Sequence, residues 1–258
     1  TKKVNLLEAG HRAGDAIVRC SALQETLQSA FKAVLGGDAS PLAKIAPTSL
    51  VFGVWDSRDT QAKLPRLIAS TIRAFDVQRL TRSAQYVPAT EYVDEELLEK
   101  SEDKKVKDAY AAKGFIHVPA SGSPGGVVAT GGVRRDATLH LAALRLLSSG
   151  EDAEKSRALL RYVLGLALVA FTHSPSNYLR QGCNLVLDPE KKREFRTVYS
   201  DGRREDTALT HDEALKYAEA TASMFGVGED REVAFDRDLA KADVTDAAKP
   251  KATKVKKK

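Results

Sequence analysis

Cationic side chains recur between residues 58 and 82 at spacings that suit a row of phosphates. Read as a helix at about 100° per residue, residues 62–75 gather Leu64, Leu67, Ile68, Thr71, Ile72 and Phe75 on one side. Lys63, Arg66, Ser70 and Arg73 then fall on the opposite side, with Arg58 just upstream in Asp56-Ser57-Arg58-Asp59. A basic ridge of this kind could contact successive phosphates of a strand laid across it. The competing reading is the solvated face of an ordinary amphipathic helix.

The next segment, Arg79-Leu80-Thr81-Arg82-Ser83-Ala84-Gln85-Tyr86, mixes hydroxyls, an amide and arginine forks with one aromatic ring. Strand alternation puts Arg79, Thr81, Ser83 and Gln85 on one face, with Arg82 and Tyr86 on the other. Such groups suit phosphate and ribose oxygens, and Tyr86 could stack on a base. A plain edge strand with a polar outer face is the alternative. Arg134-Arg135 adds charge at the base of a glycine-rich stretch, residues 114–133.

Other chemistries find little support. The glycine-rich stretch lacks the order of a phosphate-binding loop, because no Lys follows Gly131-Gly132. His11, His117, His140, His173 and His211 show no metal-ligand spacing, and His140 reads as a near-core side chain on an apolar helix. No serine sits in a nucleophile elbow. Cys20 and Cys183 match no zinc or redox spacing and read as small buried hydrophobes. The expectation is a protein without catalytic residues, metal or cofactor.

These residues must be positioned by a chain of 258 residues, 43% hydrophobic, which is enough for one large domain or two small ones with a real core. The net charge is +5, but residues 249–258 carry six lysines, which leaves the rest near −1. Any anion-binding surface must therefore be a local patch, and the bulk charge argues for none. The longest apolar run, Tyr162 to Phe171, is too short to span a bilayer.

Residues 6–35 read as helix, broken once, and end at Gly36-Gly37-Asp38 and Pro41. Ser49 to Trp55 reads as a buried strand, and an extended segment follows from Val77 to Val93. Residues 94–113 are charged and helix-permissive. The glycine-rich stretch reads as strand, mobile loop and strand. Asp136 is expected to cap a helix running to about Leu147, before a central helix from Ala153 to Phe171. Strands near 183–187 and 193–199 and a helix from His211 to about Met224 complete the pattern, which is α+β. Residues 1–245 are taken as one domain, and 246–258 as a disordered lysine-rich tail.

Several stretches, taken in order, carry a resemblance. They are Leu7-Glu8-Ala9-Gly10-His11-Arg12-Ala13-Gly14-Asp15-Ala16, Leu50-Val51-Phe52-Gly53-Val54-Trp55-Asp56-Ser57 and Ala62-Lys63-Leu64-Pro65-Arg66. Thr81-Arg82-Ser83-Ala84-Gln85-Tyr86, residues 126–128 with 134–145, and residues 179–186 follow. Together they resemble the backbone subunit of type I-G (formerly I-U) CRISPR effector complexes, a member of the RAMP superfamily, over residues 5–225. Phe52 to Ser57 is the most distinctive part.

The resemblance implies a modified RRM-like (ferredoxin-like) core with inserted helices and a glycine-rich hairpin or loop, with residues 114–133 as the candidate thumb. It implies a non-catalytic protein whose copies line up in a helical filament along a guide RNA (crRNA). Target DNA and other CRISPR effector subunits are the remaining partners, with no membrane, in the cytoplasm of a prokaryote. Arg58, Lys63, Arg66, Arg73, Arg82, Tyr86, Arg134 and Arg135 become the RNA-binding candidates. Family members carry a further N-terminal segment with a first core strand, and this chain, opening on Thr1, is expected to start at or after it. The alternative is a RAMP-type endoribonuclease that processes precursor guide RNA, using a histidine as general acid or base.

Overall fold

The computed structural model describes residues 14–57, 59–120, 124–174, 176–180, 182–191 and 193–248. In chain order, helices α1 (Ala16–Arg19), α2 (Leu23–Leu35), α3 (Ser40–Ile45) and α4 (Thr48–Phe52) lead into strands β1 (Val54–Trp55) and β2 (Lys63–Leu64). Strands β3 (Ile68–Ala74), β4 (Val77–Thr81) and β5 (Ala84–Tyr86) precede helix α5 (Lys104–Lys113). The chain returns through β6 (Val118–Pro119), β7 (Pro124–Ala129) and β8 (Val133–Leu139) to α6 (Leu141–Leu144) and α7 (Ala153–Thr172). Short strands β9 (Tyr178–Arg180), β10 (Cys183–Asn184), β11 (Arg196–Val198) and β12 (Arg204–Asp206) come before α8 (His211–Phe225) and α9 (Arg237–Ala248). Helices and small antiparallel sheets are mixed, as the α+β expectation has it. Among the described residues every sheet has two strands.

Two compact units emerge: Thr1–Ala69 with Ala137–Lys258, and Ser70–Asp136. In the first, the core gathers around α7. Leu159, Val163 and Ala167 are fully buried there, alongside Phe31 of α2, Leu42 of α3, and Leu50 and Val51 of α4. Asp152 caps α7 by accepting from the Glu154 and Lys155 amides, which satisfies donors that the first turn would otherwise leave open. Those amide bonds, with the Lys155 ammonium, hold the Asp152 carboxyl below its usual range. Helix α8 packs along α7 and begins with a capping box, in which Thr210 and Glu213 each bond the other's backbone amide.

The second unit is a ribbon. Strand β4 pairs β7 and β5 pairs β6, both antiparallel, while β3 pairs β8. All three pairings lie along the same two chain segments. Its strands are exposed nearly throughout, as two strands without a covering layer must be. Between its outgoing and returning strands, Asp103 caps α5, and Tyr92, Tyr110 and Phe115 meet edge to face.

Four expectations need correction. Residues 62–75 are not a helix: β2 and β3 occupy them, because Ile68, Thr71 and Ile72 are β-branched and the backbone is claimed by ladder partners. Ser49 to Trp55 is not one buried strand. Pro47 starts a short helix and Gly53, at φ +75, ends it, so only Val54 and Trp55 pair, and Trp55 is 64% exposed. Asp136 does not cap a helix, since β8 runs through it to Leu139 and the exposed His140, whose side chain makes no capping bond, precedes α6 instead. The glycine-rich stretch is not a hairpin closed on itself, because β6 and β7 pair with β5 and β4.

Elsewhere the pattern holds. Residues 16–35 are helical with one break, α7 is central, and α8 starts at His211. Strand β10 is shorter than expected, and α9 is an addition. The start of the first helix and the lysine-rich end, residues 249–258, lie outside the described residues.

Candidate nucleic-acid interface

On the ribbon, charge is sorted by position. Residues 70–86 and 118–136 hold five cations, all arginine (Arg73, Arg79, Arg82, Arg134 and Arg135), against Asp76 and Asp136, a net +3. Residues 87–117 between them hold five lysines and eight acids, a net −3. Arginine's planar fork matches phosphate geometry in a way a lysine point charge does not. The ribbon strands are therefore the part of this unit equipped for phosphates.

Neighbouring strands bring some of these arginines together. Arg73 Nη1 donates to Asp136 Oδ2 at 2.8 Å, and Arg134 Nε donates to the same oxygen at 3.1 Å. The Arg134 guanidinium also lies 5.3 Å from the centroid of the Phe75 ring. One ribbon face thus presents two guanidinium groups around a single carboxylate, beside an aromatic ring. Arg135 alternates away from Arg134 and donates through Nε to Ser70 Oγ at 3.1 Å.

Arg82 is exposed in the break between β4 and β5, where the pairing register shifts, so the unbroken alternation expected over residues 79–86 does not form. Tyr86 is 45% exposed and rests on Gly114, where a Cβ would come within 3.2 Å of its hydroxyl. A glycine there leaves room for the ring to lie against backbone.

Lys63 and Arg66, expected to share a helix face with Arg73, belong instead to the first unit. Lys63 pairs with Trp55 across β1 and β2, and its Nζ lies 5.8 Å from the Trp55 ring centroid. Arg66 is exposed just beyond β2. Arg58 lies outside the described residues.

Residues 1–79 match the family of CRISPR-associated protein GSU0053 (Cas_GSU0053). The match indicates a CRISPR-associated protein family. It covers under a third of the chain and includes Trp55, Lys63, Arg66 and Arg73. Neither the curated proteins nor the solved structures yield a match.

Sequence reasoning missed three features of this chain. Asp136 holds two arginines, which the alternating pattern Val133-Arg134-Arg135-Asp136 could have signalled. Trp55 is exposed, although it closes an apolar run. His173 and His211, far apart in sequence, stand 5.5 Å apart by ring centroid. Thr172 Oγ1 donates to the Leu168 carbonyl at 2.8 Å and lies within hydrogen-bond distance, 3.0 Å, of His211 Nδ1. This pair borders an apolar groove of about 450 Å³ lined by Val51, Phe52, Leu166 and Val169. Cys20 is buried and Cys183 half-buried. Among the described residues no group of three or more His, Cys, Asp or Glu is arranged to hold a metal ion. No described helix is long and apolar enough to cross a membrane.

Proposed function

We propose that this chain is a non-catalytic backbone subunit of a type I-G CRISPR surveillance complex, binding guide RNA and polymerising along it to support target DNA recognition in the prokaryotic cytoplasm. The observation that carries this reading is that the solvated strand segments of the ribbon, residues 70–86 and 118–136, carry arginine as their only cation, two of the five around Asp136. The family match over residues 1–79 supplies the CRISPR context. In this reading residues 1–245 form one RAMP-type domain, and the thumb candidate, residues 114–133, lies on the returning side of the Ser70–Asp136 unit. The described strands pair only two by two, so the four-stranded sheet of an RRM-like core would need strands beyond those pairings.

Arg73, Arg82, Arg134 and Arg135 then meet guide phosphates, joined by Lys63 and Arg66 from the other unit and by Arg58. Phosphates carry no base information, so these contacts serve any guide sequence. Purification of the chain with its partner subunits tests the assembly: RNA of uniform length is expected to accompany it. Heterogeneous RNA, or none, would overturn the backbone reading. Among single-strand contacts, each arginine removed lowers the slope of log affinity against log salt by roughly 0.7.

The His173–His211 pair favours one alternative, endoribonucleolytic processing of precursor RNA. Two imidazoles at this distance could share acid and base roles. Metal-independent cleavage of a labelled precursor, abolished in His173→Ala or His211→Ala, would replace the binding reading with the processing one.

A further inference from the structure

We propose that Trp55 is a stacking platform for one nucleobase of a bound single strand, a role that rests on the nucleic-acid reading above. Three observations within the first unit lead there. Trp55 is the sole tryptophan of the chain and is 64% exposed, while Val51, Asp56 and Ala62 around it are buried. A large ring left in water forgoes the burial that usually holds tryptophan in place.

The backbone that carries the ring is nevertheless well fixed. Its strand pairs with Lys63, and the connecting loop is closed by the Asp56 amide donating to the Ala62 carbonyl at 2.9 Å. Inside that loop the buried Asp56 carboxylate accepts from the Asp59 amide at 3.2 Å, and from the Thr60 amide and hydroxyl, each at 2.7 Å. Burying a carboxylate is costly unless it is bonded, and here its bonds set the loop that positions the ring. Gly53 adds a close approach: at φ +75, a Cβ would lie 2.9 Å from the Leu64 carbonyl oxygen.

The surroundings suit a nucleic acid. Lys63 places its ammonium over the ring, 5.8 Å from the centroid, from where an incoming base on that face would displace it toward the flanking phosphates, and Arg66 is exposed three residues further on. A base on the ring would leave its flanking phosphates within reach of these cations. Stacking is indifferent to base identity because every base has a π-face, so the site would grip any sequence.

The single tryptophan makes the test direct. Full-length protein freed of RNA is titrated with a single-stranded oligoadenosine and with an abasic strand of equal length, following tryptophan emission and strand anisotropy together. Oligoadenosine is expected to quench the emission, and the abasic strand to bind without quenching. Trp55→Ala should weaken oligoadenosine binding roughly 5- to 150-fold while leaving abasic binding and the salt slope unchanged. Circular dichroism of the variant checks the fold, which an exposed side chain should not control. Oligoadenosine binding with unchanged emission, and with wild-type affinity in Trp55→Ala, would overturn the stacking role alone. Failure of both strands to bind would overturn the nucleic-acid reading and this inference with it.

Discussion

Asp136 accepts from Arg73 and Arg134 with one oxygen; Arg73 and Asp136 are about half exposed and Arg134 65%. Exposed ion pairs of this kind contribute about 0–1 kcal/mol, because water screens the attraction and two long side chains lose freedom. The arrangement therefore pre-positions the guanidinium groups without locking them, and a phosphate could displace the carboxylate. Asp136→Asn is expected to raise RNA affinity and steepen its salt dependence, since one competing anion disappears and two forks are released. The thermal midpoint should move by no more than a few degrees, as fits about 1 kcal/mol or less. Weaker RNA binding in a folded Asp136→Asn variant would mean that the carboxylate orients the arginines for RNA instead of competing with it. The alternation of Arg134 and Arg135 across the strand explains why adjacent arginines face different neighbours, and only strand geometry makes that so.

At the scale of elements, α7 and α8 come so close at Gly165 that no side chain fits. A Cβ there would lie 2.8 Å from both the Ala218 Cα and the Thr221 hydroxyl. Replacing glycine by alanine inside a helix ordinarily stabilises it by about 1 kcal/mol. Here the obstacle is backbone, which cannot swing aside, so Gly165→Ala is expected to destabilise on balance and Gly165→Leu to cost about 1–3 kcal/mol or more from overpacking. Urea unfolding checks both, and a more stable Gly165→Ala would show that the helices can part freely. The capping box of α8 has a pH signature. Bonds from the Thr210 amide and hydroxyl hold the Glu213 carboxyl below the ordinary glutamate range. A carboxyl depressed on folding stabilises above its unfolded pKa, and that contribution fades as pH falls below about 4.5. The midpoint difference between wild type and Glu213→Ala should therefore shrink on acidification, as thermal scans across roughly pH 3–7 would show.

Across the whole molecule, the net charge of +5 is carried by the last ten residues, with six lysines. Lysines crowded on one short segment attract any polyanion as point charges, without the geometry to read RNA shape. Deleting residues 249–258 is expected to leave complex assembly intact and to weaken only non-specific nucleic-acid binding, measured against unrelated duplex DNA over a range of salt. Loss of assembly on deletion would make the tail integral. The sequence by itself determined the helices that carry their own signals. The centrality of α7 follows from an apolar run too long to be a strand, and the ends of α2 and α8 follow from glycines and a capping box. The charge arithmetic that separates tail from body was equally legible. Residues 62–75 were not, because apolar positions at 64, 68, 72 and 75 satisfy helical spacing while β-branched residues suit a strand. Local pattern is ambiguous there, and the partner strand that decides lies more than sixty residues downstream. Separation in sequence also hid the Arg73–Asp136 pair, 63 residues apart, and the nearer His173–His211 pair, since neither contact exists until distant segments meet. Exposure of Trp55 was likewise a tertiary outcome: an apolar run in sequence implies burial, but a glycine turn and a buried Asp56 rotate its last ring into solvent.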